Sequence, residues 1–400
     1  MSAPDRRSGG RLGAALGLTL VTAAAASLLH TVSMWSDDTH PGRGGAPAQP
    51  MPAAVKGPSL TILAAGDIIP HPQMWDQARR DGHGALDFGP MLAGAKPAVE
   101  AADLALCHLG VPLAPAGGPY ADYPRFSVPP EVAKAIRETG YDGCSTAAKD
   151  CLDQGAAGVA RTLDALDAAG VGHAGTSRSA AEARMPGRYT IKGVQIALLS
   201  YTENFNGLEP PAGSEWIANR IVPKKIKQDA LAARAGGAQI VVVSLHWGTD
   251  YEREPDVKQQ KVARKVAAMA DVDIVFGHQS HVVQPIEKVR GTWIVYGLGN
   301  QIARHEAPVN ANREGIMVQA TFTPAREPKR WEVRTIEAIP TFVDIDPDIR
   351  LVDLNRRLSD PSLPPARRQI YQAALDRIQA HVLTRGAGTD GLIVRSTPAG

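Results

Sequence analysis

The chain is short of aromatic residues, 5% of its 400 positions, and of cysteine, of which it has three. It is also short of net charge, because 43 Lys and Arg stand against 41 Asp and Glu and leave +2. So balanced a chain has no basic field for a nucleic-acid backbone, which sets that partner aside. Three cysteines are an odd number and too few for a disulfide framework at this length. One bridge stays open, Cys144 to Cys151, if their Cα atoms come within ~7 Å. Buried free thiols are the expected state of Cys107, Cys144 and Cys151. No internal repeat is present, and one large α/β domain with peripheral segments accounts for the length. Abundant Ala, Gly and Pro reflect coding bias and carry no functional information.

The N-terminus places Arg6, Arg7 and Arg11 before an apolar run from Leu12 to Leu29. Eighteen residues rising ~1.5 Å each span ~27 Å, enough for a thin bilayer with the arginines on the cytoplasmic side. Residues 1–36 are therefore expected to be a signal anchor that holds the protein at the cell membrane with its domain outside. The alternative is a signal peptide cut near the small residues Ala24 to Ser27, which would release a secreted form. No cysteine follows the run, so a lipoprotein anchor is excluded, and the twin arginine leaves a folded-export signal as a minor option. Residues 37–57 are rich in Pro and Gly without periodicity, the composition of a linker.

The folded body is expected over 58–345. Short apolar runs at Ser59 to Ala65, Leu104 to Cys107, Val194 to Ser200, Gln239 to Leu245, Asp273 to Phe276 and Trp293 to Tyr296 read as buried strands. Helical spacing at Ala156 to Ala169 and Gln259 to Met269 separates some of them, and the alternation argues an α/β core. Beyond residue 345 a polar helical stretch, Pro365 to Leu383, and a Gly-rich tail form a C-terminal extension.

Several strands run into glycine followed by a ligating residue: Gly66-Asp67, then His246-Trp247-Gly248, then Gly277-His278-Gln279-Ser280-His281. In open α/β sheets the carboxyl ends of strands converge on one crevice. Asp67, His246, His278 and His281 would there form a carboxylate and imidazole set suited to Mn, Zn or Fe, a metal that polarises an ester and acidifies a bound water. Each segment alone reads equally well as a turn or a structural histidine pair. His71, after Pro70, reads as a solvent-exposed histidine near the crevice mouth.

These segments carry a family resemblance. Ala65-Gly66-Asp67-Ile68, the stretch from Ala102 to His108, the stretch from Tyr141 to Ala147, and Leu152-Asp153-Gln154-Gly155 resemble the CapA-type proteins of poly-γ-glutamate capsule synthesis. His246 to Tyr251, Gly277 to Val282 and Tyr296-Gly297-Leu298-Gly299-Asn300 continue the match in order and spacing, from about residue 60 to 305. The resemblance implies a metallophosphatase-like α/β/β/α sandwich of mixed sheets flanked by helices. It also implies a surface role toward an anionic polymer or its synthesis machinery, with the membrane reached through the N-terminal segment.

The chain departs from that pattern in two places. Where the family places a Glu after Asn or His, Gly110 follows His108 and Leu109, and where it places an Asn-His pair stand Lys149 and Asp150. A two-metal site needs carboxylates against the repulsion of its cations, so at most one metal, or none, is expected, held by Asp67, Asp150, His246, His278 and His281. Lys149 is expected to stand in for the other ion, its ammonium pairing with Asp67 or Asp150. The other reading turns Lys149 to solvent and keeps a mononuclear site. His108 and His246 are the candidate catalytic residues, with His108 protonating a leaving group, and Lys149 and Asn300 the candidate substrate contacts. A turn-stabilising role suits Asn300 equally well. Three functions follow: a CapA-like component with degenerate catalysis, an active metal-dependent phosphoester or amide hydrolase, or a polymer- or partner-binding module.

Overall fold

A computed structural model describes residues 57–305 and 309–396. The apolar run, and with it the anchor or signal reading, lies outside them. Among the described residues no helix is long and apolar enough to cross a membrane.

The chain first lays down four parallel strands, β1 (Leu60–Ile69), β2 (Leu104–Leu109), β3 (Gly143–Ser145) and β4 (Gly172–Ala174), side by side in that order. A second sheet follows, built from β5 (Gly187–Ile191), β6 (Val194–Thr202), β7 (Ile240–His246), β8 (Ile274–His278), β9 (Ile286–Val289) and β10 (Thr292–Val295). Its order is β5-β6-β7-β8-β10-β9, with β6, β7, β8 and β10 parallel and the edge strands β5 and β9 antiparallel. The chain then returns to the first sheet through β11 (Asn300–Ala303), β12 (Glu314–Pro324) and β13 (Trp331–Asp344). β14 (Arg350–Asp353) and β15 (Leu392–Val394) complete that sheet, both paired with β13.

The apolar pattern explains the layering. β1 and β7 are buried on both faces, as nearly continuous apolar strands in a covered sheet must be. Leu60, Ile62, Ile196, Val242, Ile274, Val318 and Phe322 join in one cluster drawn from both sheets. The other face of the first sheet packs Leu63, Ala105 and Met317 against Met74 of helix Pro72–Asp81 and Ile136 of helix Glu131–Thr139. Val241, Val243 and Val275 of the second sheet meet Ile226 of helix Pro223–Ala235 and Val266 of helix Val257–Val266. This is the expected α/β/β/α sandwich of mixed sheets.

The C-terminal region differs from the expected extension. Helix Pro365–Val382 contributes Tyr371, Leu375 and Ile378 to the main cluster, and β14 and β15 pair into the first sheet, so the core continues to Val394. Strands of four and three residues are too short to show a period. The cysteines differ too: Cys107 and Cys144 face each other in register on β2 and β3, are disulfide-bonded with Cα atoms 4.4 Å apart, and leave Cys151 free and buried. Parallel pairing across 37 residues created that neighbourhood, whereas the nearer pair Cys144 and Cys151 was the one open to local reasoning.

Candidate metal centre

Strand register assembles the centre. On the first sheet Asp67 is the partner of His108 on one side and of Asn300 on the other, and His108 is in turn the partner of Ser145. On the second sheet His246 is the partner of His278. Both rows stand at the carboxyl ends of parallel strands, so two lines of polar side chains meet where the sheets face one another. Close backbone approach requires glycine here: a Cβ on Gly66 would lie 2.2 Å from the Gly299 carbonyl oxygen, and one on Gly277 1.9 Å from that of Tyr296. Gln279 and His281 adopt φ of 86° and 55°, a region non-glycine residues rarely enter and one that clusters at functional sites.

Asp67, His108 and His278 each bring a donor atom within 4.8 Å of the other two. His278 Nδ1 lies 3.1 Å from Asp67 Oδ1, and the backbone N–H of Gln279 donates to Asp67 Oδ2 at 3.1 Å. The rings of His108 and His278 stack with centroids 4.0 Å apart, and His108 Nε2 is 2.9 Å from His246 Nδ1. His281 Nδ1 stands 3.5 Å from Asp67 Oδ2 and 3.2 Å from the Asn300 side-chain oxygen. Asp67, His108, His246 and His278 are all buried.

The protonation states suit a cation. Burial would by itself raise the Asp67 carboxyl, but the His278 hydrogen bond and the charges of His108, His278 and His281 outweigh it and hold the group well below the usual carboxylate range. Desolvation pushes His246 down to about 3, against an opposing pull from Asp67, and pushes His108 well below its ordinary value. At neutral pH Asp67 is thus a carboxylate and His108 and His246 are neutral imidazoles carrying lone pairs, the form in which these groups bind first-row metals. The residues fit a divalent cation, held by Asp67, His108 and His278 with His246 beside them, while His281, expected among the ligands, lies outside that convergent group. Such an ion would supply Lewis acidity and an acidified water.

Other expectations need correcting. Lys149 does not occupy an ion's place: its Nζ pairs with Asp250 at 3.3 Å, and neither Asp67 nor Asp150 receives it. Asp250 is held on the other side by Gln279 Nε2, so the ammonium is drawn to the rim. Asp150 is outside the convergent group. Burial and its neighbours Asp153 and Asp250 raise its carboxyl to about 7, so it is only partly ionised near neutral pH. Asn300, expected to meet substrate, is 1% exposed and bonded to His281 and to the Asn312 carbonyl, so it orients the His281 ring. His108, read as a proton donor, stands in the donor group itself, and its neutral state suits a ligand better than an acid.

Sequence reasoning missed three participants. Ser145 Oγ lies 2.7 Å from His108 Nδ1 and sets the orientation of that ring. His71 is 9% exposed, not solvated, with Nδ1 3.0 Å from Asp122 Oδ1. His305 lies just past β11 and packs against both His71 and His281, with ring centroids 5.1 Å apart in each case. Lone histidines after strand ends were the available signal, and nothing in their spacing set them apart from surface residues.

A two-sheet α/β sandwich with carboxylate and imidazole donors at its crevice defines the class as α/β proteins with a candidate metal centre. Within that class the description "Bacterial capsule synthesis protein PGA_cap" matches residues 61–305, more than half of the chain, and the chain belongs to that family. It is 29% identical over 179 residues to the capsule biosynthesis protein CapA of Bacillus anthracis, covering 44% of this chain and 43% of that protein. It is 26% identical over 256 residues to a probable polyglutamine synthesis accessory protein of Mycobacterium tuberculosis, covering 61% and 67%. The chain thus spans less than half the length of the Bacillus anthracis protein. The calcineurin-like phosphoesterase YfkN of Bacillus subtilis superposes with a TM-score of 0.40 at 11% identity, over 81% of this chain and 98% of that one.

Proposed function

We propose that this protein acts in the biosynthesis or export of poly-γ-glutamate or a similar anionic polymer at the cell surface, through a crevice that holds one metal ion at the Asp67 group. The observation that carries the reading is the convergence of Asp67, His108 and His278 inside the span matched by the capsule-synthesis family. Two features support an extracytoplasmic domain anchored in the membrane: the arginine-flanked apolar run Leu12 to Leu29, and the Cys107–Cys144 disulfide, a linkage that persists in oxidising compartments. The partners would be the polymer or its synthesis machinery.

Complementation tests this. A polyglutamate-producing Bacillus subtilis strain lacking its own CapA, supplied with this chain, is expected to regain polymer, and His278→Ala is expected to reduce the yield. No recovery by a well-expressed wild-type chain would sink the proposal. Equal recovery by wild type and His278→Ala would keep the surface role and remove the metal from it. A second reading, a metal-dependent phosphoester or amide hydrolase, draws support from the neutral imidazoles. Turnover of an aryl phosphate, lost in His278→Ala, would favour it.

A further inference from the structure

Beside the Asp67 group lies a second set of imidazoles, of which only His281 belongs to the segments that carry the capsule-family resemblance. His71 is the residue before helix Pro72–Asp81, His305 follows β11, and His281 follows β8. The ring of His305 sits between the other two at 5.1 Å from each. Two imidazoles sharing one tetrahedral ion, with nitrogen at ~2.1 Å from the metal and the ring centre ~1.1 Å further out, have centroids ~5 Å apart. The observed spacing fits co-ligands, although packed rings in general stand about 4.5–7 Å apart, and it is wider than the 4.0 Å stack of His108 on His278.

The hydrogen bonding of the three rings points the same way. His71 Nδ1 is paired with the Asp122 carboxylate, while its Nε2 is buried and has no partner among the described residues. A carboxylate on one ring nitrogen with the other left free is the usual outer support of a metal-binding histidine. An unsatisfied buried nitrogen is otherwise costly, about 1–3 kcal/mol. His281 has its Nδ1 on the Asn300 oxygen, which leaves Nε2 as its available donor. His305 Nε2 has only a share of the Asn300 amide nitrogen, which faces three acceptors, His305 Nε2 and the carbonyls of His281 and Asn312, with two hydrogens. The Tyr251 hydroxyl stands 3.4 Å from His305 Nδ1 and closes the outer side.

We infer that His71, His281 and His305 form a second cation station beside the Asp67 group, one that takes a first-row divalent ion such as Zn²⁺ or Co²⁺. The station consists wholly of imidazoles, with Asp122 and Asn300 as outer supports, so it needs neither the carboxylate absent at Gly110 nor the pair replaced by Lys149 and Asp150. Its donors are less tightly drawn together than those of the Asp67 group. Side-chain rotation on binding would bring them in. All-nitrogen donors favour zinc, copper, nickel or cobalt over magnesium or calcium. The inference is independent of the polymer reading, because it concerns stoichiometry alone.

The test uses the full chain in detergent, stripped with EDTA, reloaded with Zn²⁺ and desalted, with bound zinc counted by inductively coupled plasma mass spectrometry. Wild type is expected to retain two equivalents. His71→Ala and His305→Ala are each expected to fall to one, and His278→Ala to one through loss of the other station. If an alanine variant fails to fold, His71→Gln, similar in size and a poor ligand, should show the same fall with an unchanged circular dichroism spectrum. Co²⁺ provides an independent reading, its visible absorption falling by about half in His71→Gln. Retention of all wild-type equivalents in the folded His71 and His305 variants would overturn the inference. So would a single wild-type equivalent that His278→Ala alone abolishes.

Discussion

Gly277→Ala is the sharpest test of how the strand ends are held. The added methyl would lie 1.9 Å from the Tyr296 carbonyl oxygen and 2.6 Å from Trp247 Nε1, both far inside contact distance. Trp247 Nε1 donates to that same carbonyl at 2.9 Å, and both side chains are buried. Relief requires β8 at Gly277 and the backbone just past β10 to part, and overpacking a closed core in this way costs about 1–3 kcal/mol. It also strands a buried indole N–H at about 1–3 kcal/mol. Together these amount to roughly 2–6 kcal/mol, a large share of a domain's usual stability of about 5–15 kcal/mol. Gly110→Ala is the matched control, because its methyl would meet nothing closer than Ile69 Cγ1 at 3.6 Å and its φ is not positive. Less than about 1 kcal/mol is expected there. Urea unfolding followed by tryptophan fluorescence measures both. A Gly277→Ala variant within 1 kcal/mol of wild type, or a Gly110→Ala variant equally damaged, would refute the reasoning.

Three further outcomes are expected. A Cβ on Gly110 stands 3.9 Å from His108 Nε2, so Gly110→Glu should place a carboxylate at the Asp67 group and tighten Mn²⁺ binding at least about tenfold by calorimetry, with unchanged affinity counting against that geometry. Acid should weaken the metal-stripped protein through His246: its folded value of about 3 lies below the ordinary 6.5, so the unfolded chain alone takes up the proton as pH falls. Stability from this group is therefore complete above about 6.5 and is lost toward 3, about 2 kcal/mol by pH 5. His305, also pushed down to about 3 by burial and by the neighbouring His281 and His71, acts in the same direction, and Asp150, raised to about 7, acts in the opposite one. The decisive reading is the pH 7 to pH 5 change in urea stability of His246→Gln relative to wild type, expected to be smaller by about 2 kcal/mol; identical pH profiles would show that His246 is not buried neutral. Cys144→Ser should lower stability by about 4 kcal/mol on the loop-closure model for a bridge spanning 37 residues, and equal melting of oxidised and reduced wild type would argue against the bridge.

The sequence by itself determined the α/β class, because apolar runs such as Val241 to Leu245 need burial on both faces and alternate with helical spacing. It also singled out Asp67, His246, His278 and His281, since strand ends next to glycine and a ligating residue are a local pattern, whereas the three residues whose donors converge are Asp67, His108 and His278. What only the tertiary structure decided depends on pairing between distant segments. Parallel register put Cys107 opposite Cys144 and made Ser145 a support for His108. Packing of the two sheets drew Lys149 to Asp250 rather than into the centre. His71 and His305, separated by more than two hundred residues, meet because β11 pairs in parallel with β1, so that both histidines lie just beyond the ends of neighbouring strands. No local periodicity encodes such a meeting, because the free energy that brings the two rings together is spread over the whole sheet.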